Sequence, residues 1–388
     1  MSRTLAAVLV AALLGRPLLA QRPEEWRINW IAYPAYNTLE RVSLNGVVAR
    51  RHTPRPGPPL LTASMELQGK ISTSGTRGIT ALFDAPGYWP RWRLLVMGSA
   101  ERTTRAPYYG LGNTSLDDSA EAANGDVLFY RYRLVRTTVL AAAQRRLGGP
   151  VRALAGLQWR HYRAQPDGGG ATRLGEDITA GVVGDTGSTD NLEVRAGLLL
   201  DTRDEEGSPS RGVFLEAVGA HGLGTLGAEF SNYSRWMFGA RGFLPLGEQT
   251  TLAGRAQYEF ANGAIPFFVM YERLTSWRPE DGFGGSLTLR ANLPGRWLAP
   301  NRALTSVDLR YKRIDIPFPR SPVRLWLLAF ADAGVVWLDG QRPSTHNLQG
   351  GAGVGVRAQY SKSGMFGIDL GYSRDSKLEF ATAFQFAY

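Results

Sequence analysis

The chain ends Lys377-Leu-Glu-Phe-Ala-Thr-Ala-Phe-Gln-Phe-Ala-Tyr388. Phe380, Phe384, Phe386 and Tyr388 fall on one face of an extended chain, and Glu379, Ala381, Ala383, Gln385 and Ala387 fall on the other. Strand side chains alternate with period two, so this stretch has one aromatic face and one small or polar face. In a water-soluble sheet the aromatic face would pack on a core. In a membrane barrel it faces lipid, while the small face lines the lumen. The stretch therefore reads as the closing strand of an outer-membrane β-barrel.

The same alternation recurs upstream. Ala352, Val354, Val356, Ala358 and Tyr360 oppose Gly351, Gly353, Gly355, Arg357 and Gln359, and Phe366, Ile368, Leu370 and Tyr372 oppose Gly367, Asp369, Gly371 and Ser373. A row of inward glycines leaves backbone bare, which implies close packing from inside. Turn residues separate sixteen candidate strands, at about 28–35, 43–52, 59–70, 74–84, 91–103, 127–146, 151–164, 191–201, 211–222, 228–243, 249–261, 302–313, 323–337, 348–360, 364–373 and 377–388. Sixteen is even, as single-chain bacterial barrels require. Short connections such as Leu147-Gly-Gly-Pro150 alternate with long ones such as Gln165–Asn191 and Gly263–Asn301. The fold class expected is all-β: a transmembrane antiparallel barrel of about sixteen strands.

Residues 1–20 carry Arg3, an apolar run from Leu5 and a small residue, Ala20, before Gln21, the pattern of a secretory signal peptide. Residues 21–388 then form one domain. The 388 residues include no cysteine, so disulfides and thiolate metal sites are excluded. The four histidines stand singly, and no metal site, cofactor or catalytic group is expected. The net charge of +10 comes mostly from arginines that occur one at a time on alternating strands, as in Val194-Arg195-Ala196 and Gly254-Arg255-Ala256. That pattern suits a charged lumen and argues against a nucleic-acid-binding run. Gly222-Leu-Gly-Thr-Leu-Gly227 has dinucleotide-fingerprint spacing, but no helical pattern follows it, so it reads as a loop.

Four segments resemble the outer-membrane protein assembly and translocation barrels, the superfamily of the BAM and TAM central subunits and the bacterial surface antigen proteins. They are Tyr108-Tyr-Gly-Leu-Gly-Asn113; Leu200-Asp-Thr-Arg-Asp204 with Pro209-Ser-Arg-Gly212; Phe330-Ala-Asp-Ala-Gly-Val-Val-Trp337; and the aromatic C-terminal strand. In the second, opposite charges among Asp201, Arg203, Asp204 and Arg211 are expected to pair across a tight connection set by Pro209 and Gly212. The resemblance also implies a lid loop folded into the lumen, carrying a Val-Arg-Gly-aromatic motif. Leu289, Arg290, Ala291 and Asn292 stand at the matching place, with Ala291 and Asn292 departing from the glycine and the aromatic. Arg290 is then expected to meet inward carboxylates, Asp332 above all, with Asp308 and Arg310 alongside.

The resemblance implies insertion or translocation of other proteins at the outer membrane. The partners it implies are outer-membrane lipid or lipopolysaccharide, unfolded barrel clients, and a periplasmic partner protein. That last is expected because barrel-like sequence begins almost at once, without the family's N-terminal periplasmic repeats. A passive channel or a structural surface barrel is the alternative, and an outer-membrane lipase would need a Ser–His pair that the sequence does not offer.

Overall fold

The computed structural model describes residues 26–37, 40–52, 62–113, 129–166, 172–184, 187–223, 232–316, 323–359 and 365–383. The signal-peptide residues, Phe384, Phe386, Tyr388 and most of the glycine-rich stretch Gly222–Gly227 lie outside them.

The chain forms β1 (Trp26–Asn37), β2 (Arg41–His52), β3 (Ala63–Ser72), β4 (Arg77–Trp89), β5 (Trp92–Pro107) and β6 (Arg131–Gly148). Then follow β7 (Val151–Pro166), a short helix α1 (Arg173–Thr179), β8 (Ser188–Asp201), β9 (Gly212–Leu223), β10 (Asn232–Pro245) and β11 (Thr250–Gly263). Residues 264–300 carry a single helical turn, α2 (Phe267–Met270), and two two-residue strands, β12 (Glu272–Arg273) and β13 (Glu280–Asp281). The last strands are β14 (Asn301–Ile316), β15 (Val323–Trp337), β16 (Gln349–Gln359), β17 (Met365–Ser373) and β18 (Lys377–Ala383).

Apart from β12 and β13, which pair only with each other, the strands form one 16-stranded sheet in which each pairs with its sequence neighbours, antiparallel throughout. Each of the sixteen strands overlaps the range expected from the alternation, with some ends displaced by four or five residues. Asp126–Leu147, which could equally hold a hairpin, holds the single strand β6, and the stretch around Ile28–Tyr33 is a full strand.

The burial pattern is inside out for a soluble sheet. On β14 the apolar Val307 and Leu309 are 47% and 45% exposed, while Asp308 and Arg310 between them are 0% and 1% exposed. On β9 Val213 and Leu215 are exposed and Glu216 is buried. A one-residue slip of register would reverse both faces, so this arrangement fixes the register strongly. Exposed Trp30, Trp92, Phe238, Tyr258, Tyr372 and Phe380 extend the outward apolar surface. No helix among the described residues is long and apolar enough to cross a membrane.

One expectation fails at the β8–β9 connection. Asp204 is met there by the backbone N–H of Ser210 (3.0 Å), the backbone N–H of Arg211 (3.2 Å) and the Ser210 hydroxyl. These local donors cap the carboxylate without a long side chain having to be ordered. Arg203 turns back to Asp201 two residues away (2.9 Å) and lies 4.4 Å from the Phe214 ring centroid. Gly212 has φ +102°, and a Cβ there would run into the Thr202 carbonyl. Gly212→Ala should therefore lower stability by about 1–3 kcal/mol, read as a reduced midpoint for loss of the compact electrophoretic band on heating.

Candidate functional site

Residues 264–300 connect two neighbouring strands, β11 and β14, yet they reach most of the sheet. Every strand of the sheet from β5 to β17 touches this segment through its inward face or its backbone. So many consecutive strands can meet one short segment only if the sheet curls around it.

The segment enters beside an aromatic cluster. Phe267 packs edge-on to Tyr108 (5.8 Å between centroids) and Phe268 stacks on Tyr162 (4.3 Å). Tyr271 donates its hydroxyl to the Pro107 carbonyl at the end of β5. The Tyr108–Asn113 motif continues this contact: Gly112 bridges to Leu298, and Asn113 donates to the Val336 carbonyl. The resemblance thus has a physical content here, because the motif binds both the segment and β15.

Next comes a carboxylate that the sequence reading did not single out. Glu272 accepts from Arg160 Nε (2.7 Å), Gln158 Nε2 (3.1 Å) and the Tyr162 hydroxyl (2.5 Å), all on β7. Its backbone carbonyl accepts from Arg235 (3.0 Å) and Arg302 (2.8 Å). Those arginines are balanced in turn: Arg235 pairs with Glu193 (2.9 Å) and Arg302 with Glu259 (2.8 Å). Burial pushes the Glu272 carboxyl up, but Arg160 and Arg136 more than offset this and bring it from 4.5 to about 2. The sequence signal for this network was the scatter of single inward arginines and glutamates on β7–β11, read only as a charged lumen.

From Glu272 the chain descends toward the end of the sheet where the short turns lie. Gln144 and Arg195 hold the carbonyls of Ser276 and Trp277, and Glu216 accepts from the Ser276 N–H (3.1 Å). The Trp277 ring lies 5.5 Å from the guanidinium of Arg93, one residue from the start of β5. The chain then returns as β13, with Glu280 paired to Arg273.

The returning limb carries the expected motif. Arg290 gives Nε to Asp332 Oδ2 (2.9 Å) and Nη2 to Asp332 Oδ1 (2.6 Å), and its backbone N–H also reaches Oδ2 (2.9 Å). Nη2 donates further to Asp308 (2.7 Å), whose other oxygen accepts from Arg310 (3.1 Å). The guanidinium lies 4.0 Å from the Phe330 ring centroid, and the Arg290, Asp308 and Asp332 side chains are completely buried. Burial opposes the Arg290 charge, but the hydrogen bonds and negative charges of Asp332 and Asp308 together outweigh it and raise the guanidinium above its ordinary value.

Ala291 departs from the family glycine, and the wall accommodates its methyl. A Cβ on either Gly351 or Gly371 would collide with Ala291, so these two glycines clear the space that the methyl fills. Leu289 is fully buried beside Phe283 and Trp297. Asn292 is buried too; its backbone spans Leu289 and Gly285, while its side-chain amide has no hydrogen-bond partner among the described residues. Thus Leu289, Arg290, Ala291, Asn292, Asp308, Arg310 and Asp332 come together in one place. Asp201, Arg203, Asp204, Arg211 and Gly212 form a separate turn, and Phe380 stands on the outward face of β18, 49% exposed.

A family model for the Omp85 superfamily domain matches residues 63–387, and the chain belongs to that superfamily of integral outer-membrane β-barrels. Three solved structures have the same fold. BamA from Haemophilus ducreyi lacking POTRA domains 1–3 superposes with TM-score 0.57 at 13% identity, over 94% of this chain and 71% of that one. CdiB from Escherichia coli gives 0.59 at 14% identity, covering 94% and 62%. CdiB from Acinetobacter baumannii gives 0.51 at 10%, covering 94% and 60%. This chain thus spans less than two thirds of either CdiB. No curated protein sequence matches it.

Two measurements follow from the pairing. Breaking a buried pair strands a charge, so Asp332→Ala and Arg290→Ala should each cost about 3–5 kcal/mol in urea unfolding from lipid vesicles. The double variant should cost clearly less than their sum; strict additivity would mean that the two groups are not coupled. For Glu272 the folded value lies below 4.5, so its contribution is present above pH 4.5 and fades as pH falls toward about 2. Stability of the parent should therefore decline across that window, and Glu272→Gln should flatten that part of the profile.

Proposed function

We propose that this Omp85 barrel inserts or translocates other proteins at the outer membrane, with residues 264–300 as a lid held in the lumen. The observation that carries the reading is the Arg290–Asp332–Asp308 cluster, a charge pairing closed off from water on the segment's return limb. A segment needed only to join β11 to β14 has no use for a buried anchor on β15. Inserting segments of other chains requires an interior occupied at rest and able to be cleared. A polar anchor suits that use: it is specific, and its parts can be rehydrated when it parts.

Clients are unfolded barrel proteins in this reading, delivered by a periplasmic partner, and the chemistry of transfer is pairing of an incoming strand with an exposed sheet edge. The lid fills the space that an open pore would need, so a permanently conducting channel is the weaker alternative. Enzymatic chemistry has no group assigned to it.

Planar-bilayer conductance of the refolded barrel separates the two. The parent should stay mostly closed, and Arg290→Ala and Asp332→Ala should each open it to a similar, larger conductance. Steady conduction by the parent, unchanged in both variants, would replace the lid with a passive channel. Client insertion is then scored with vesicles holding the parent and an unfolded outer-membrane barrel; loss of stimulation in lid variants that remain folded is the expected result.

A further inference from the structure

We propose that the outward face of β4–β7, at the end bearing the long connections, is a binding site for the phosphate groups of a phosphorylated outer-leaflet lipid. The site is a row of arginines on the wrong side of the sheet. Arg77, Arg102, Arg133 and Arg163 lie on four consecutive strands and are all exposed. They share the outward face with Ile79, Ala100, Val135, Leu157 and Trp159, since each is an even number of residues from its neighbour in that set. Arg77 stands directly opposite Arg102, Arg102 opposite Val135, and Val135 opposite Arg163.

Like charges directly across a ladder repel. On the inward face this sheet pairs nearly every arginine with a carboxylate, as for Arg93 with Asp84 and Arg136 with Glu101. On the outward face the described residues of β3–β7 carry no acid, and the Arg77, Arg102 and Arg163 guanidinium groups make no ion pair or hydrogen bond among the described residues. On the next strand, β8, the outward Asp190 is engaged with His161 (3.1 Å). Among the described residues nothing on this face offsets the charge of those three arginines.

The height of the arginine row selects the source of a counter-charge. On β6 the outward residues run from Arg145, which lies 5.6 Å from Trp92, through Ala143, Ala141, Val139, Thr137 and Val135 to Arg133. At roughly 3.3 Å per residue and a tilt of about 40°, Arg145 and Arg133 are about 30 Å apart along the membrane normal. An apolar band of about 25 Å fits between them, which places the arginine row at the headgroups rather than in hydrocarbon. Long connections leave the sheet at this end, and in barrels of this type they face outward. Arg77, Arg102, Arg133 and Arg163 line a groove of about 740 Å³ together with Ile79 and Val135; Glu101, Lys70 and Arg136, which pair with one another from the inward face, also border it. The groove thus offers guanidinium forks above and aliphatic side chains below, which complements a phosphate-bearing sugar or glycerol headgroup on acyl chains.

The test is binding to the detergent-solubilised full barrel, followed by native mass spectrometry. The probes are diphosphoryl lipid A, the same lipid with its phosphates removed, and inorganic phosphate. The parent should bind diphosphoryl lipid A at least tenfold more tightly than the dephosphorylated form. The triple variant Arg77→Gln/Arg102→Gln/Arg163→Gln should lose affinity by about fivefold per arginine and lose the preference. A triple Arg→Lys variant keeps the charge and should retain most of the affinity, which separates charge loss from misfolding. Equal affinity in parent and Gln variant, or equal affinity for both lipids, would overturn the proposal. Displacement of the lipid by millimolar inorganic phosphate would also overturn it, because the site would then take a free anion rather than a lipid headgroup.

Discussion

A charge shut away from water has to be matched where it stands, and the interior of this barrel is organised by that requirement. The strands turn many of their apolar side chains outward, and the inward face sets buried arginines, glutamates and aspartates among small hydrophobic clusters. Separated from solvent, those groups repay their lost hydration only through close pairing with good geometry. Strand-to-strand pairs such as Arg357–Asp369 (2.8 Å) satisfy part of the face. The rest is completed by residues 264–300, which contribute Glu272 on one side, Arg290 on the other, and main-chain carbonyls between them.

This division of labour explains the segment's irregular backbone. A helix or a long hairpin would use its peptide groups internally and leave the wall's arginines unmet. The extended stretch from Glu272 to Trp277 instead presents its carbonyls outward to Arg235, Arg302, Gln144 and Arg195. The segment has few ladder bonds of its own because the wall supplies its hydrogen bonds.

The sheet was legible in the sequence because a membrane barrel writes its two solvents into alternate positions. Val307, Leu309 and Tyr311 against Asp308, Arg310 and Lys312 give away both strand and facing. The meeting of Arg290 with Asp332 was reachable only by resemblance; nothing in the spacing of two residues 42 positions apart marks them as neighbours. Glu272 was missed for the same reason: its partner Arg160 is 112 residues away, and its own stretch has no period to orient it. The Asp204 turn was misread because backbone N–H groups leave no trace in a sequence, whereas the arginine beside them draws the eye.

The glycines of β16 and β17 bear on how the chain can be built. Gly351 and Gly371 contribute no side chain to the interior, and what covers them is Ala291, which precedes both strands in the chain. The surface against which the final strands close is therefore synthesised before them. The segment contacts β5–β11 and β14–β17 alike, so β14–β17 close against a surface supplied from earlier in the chain.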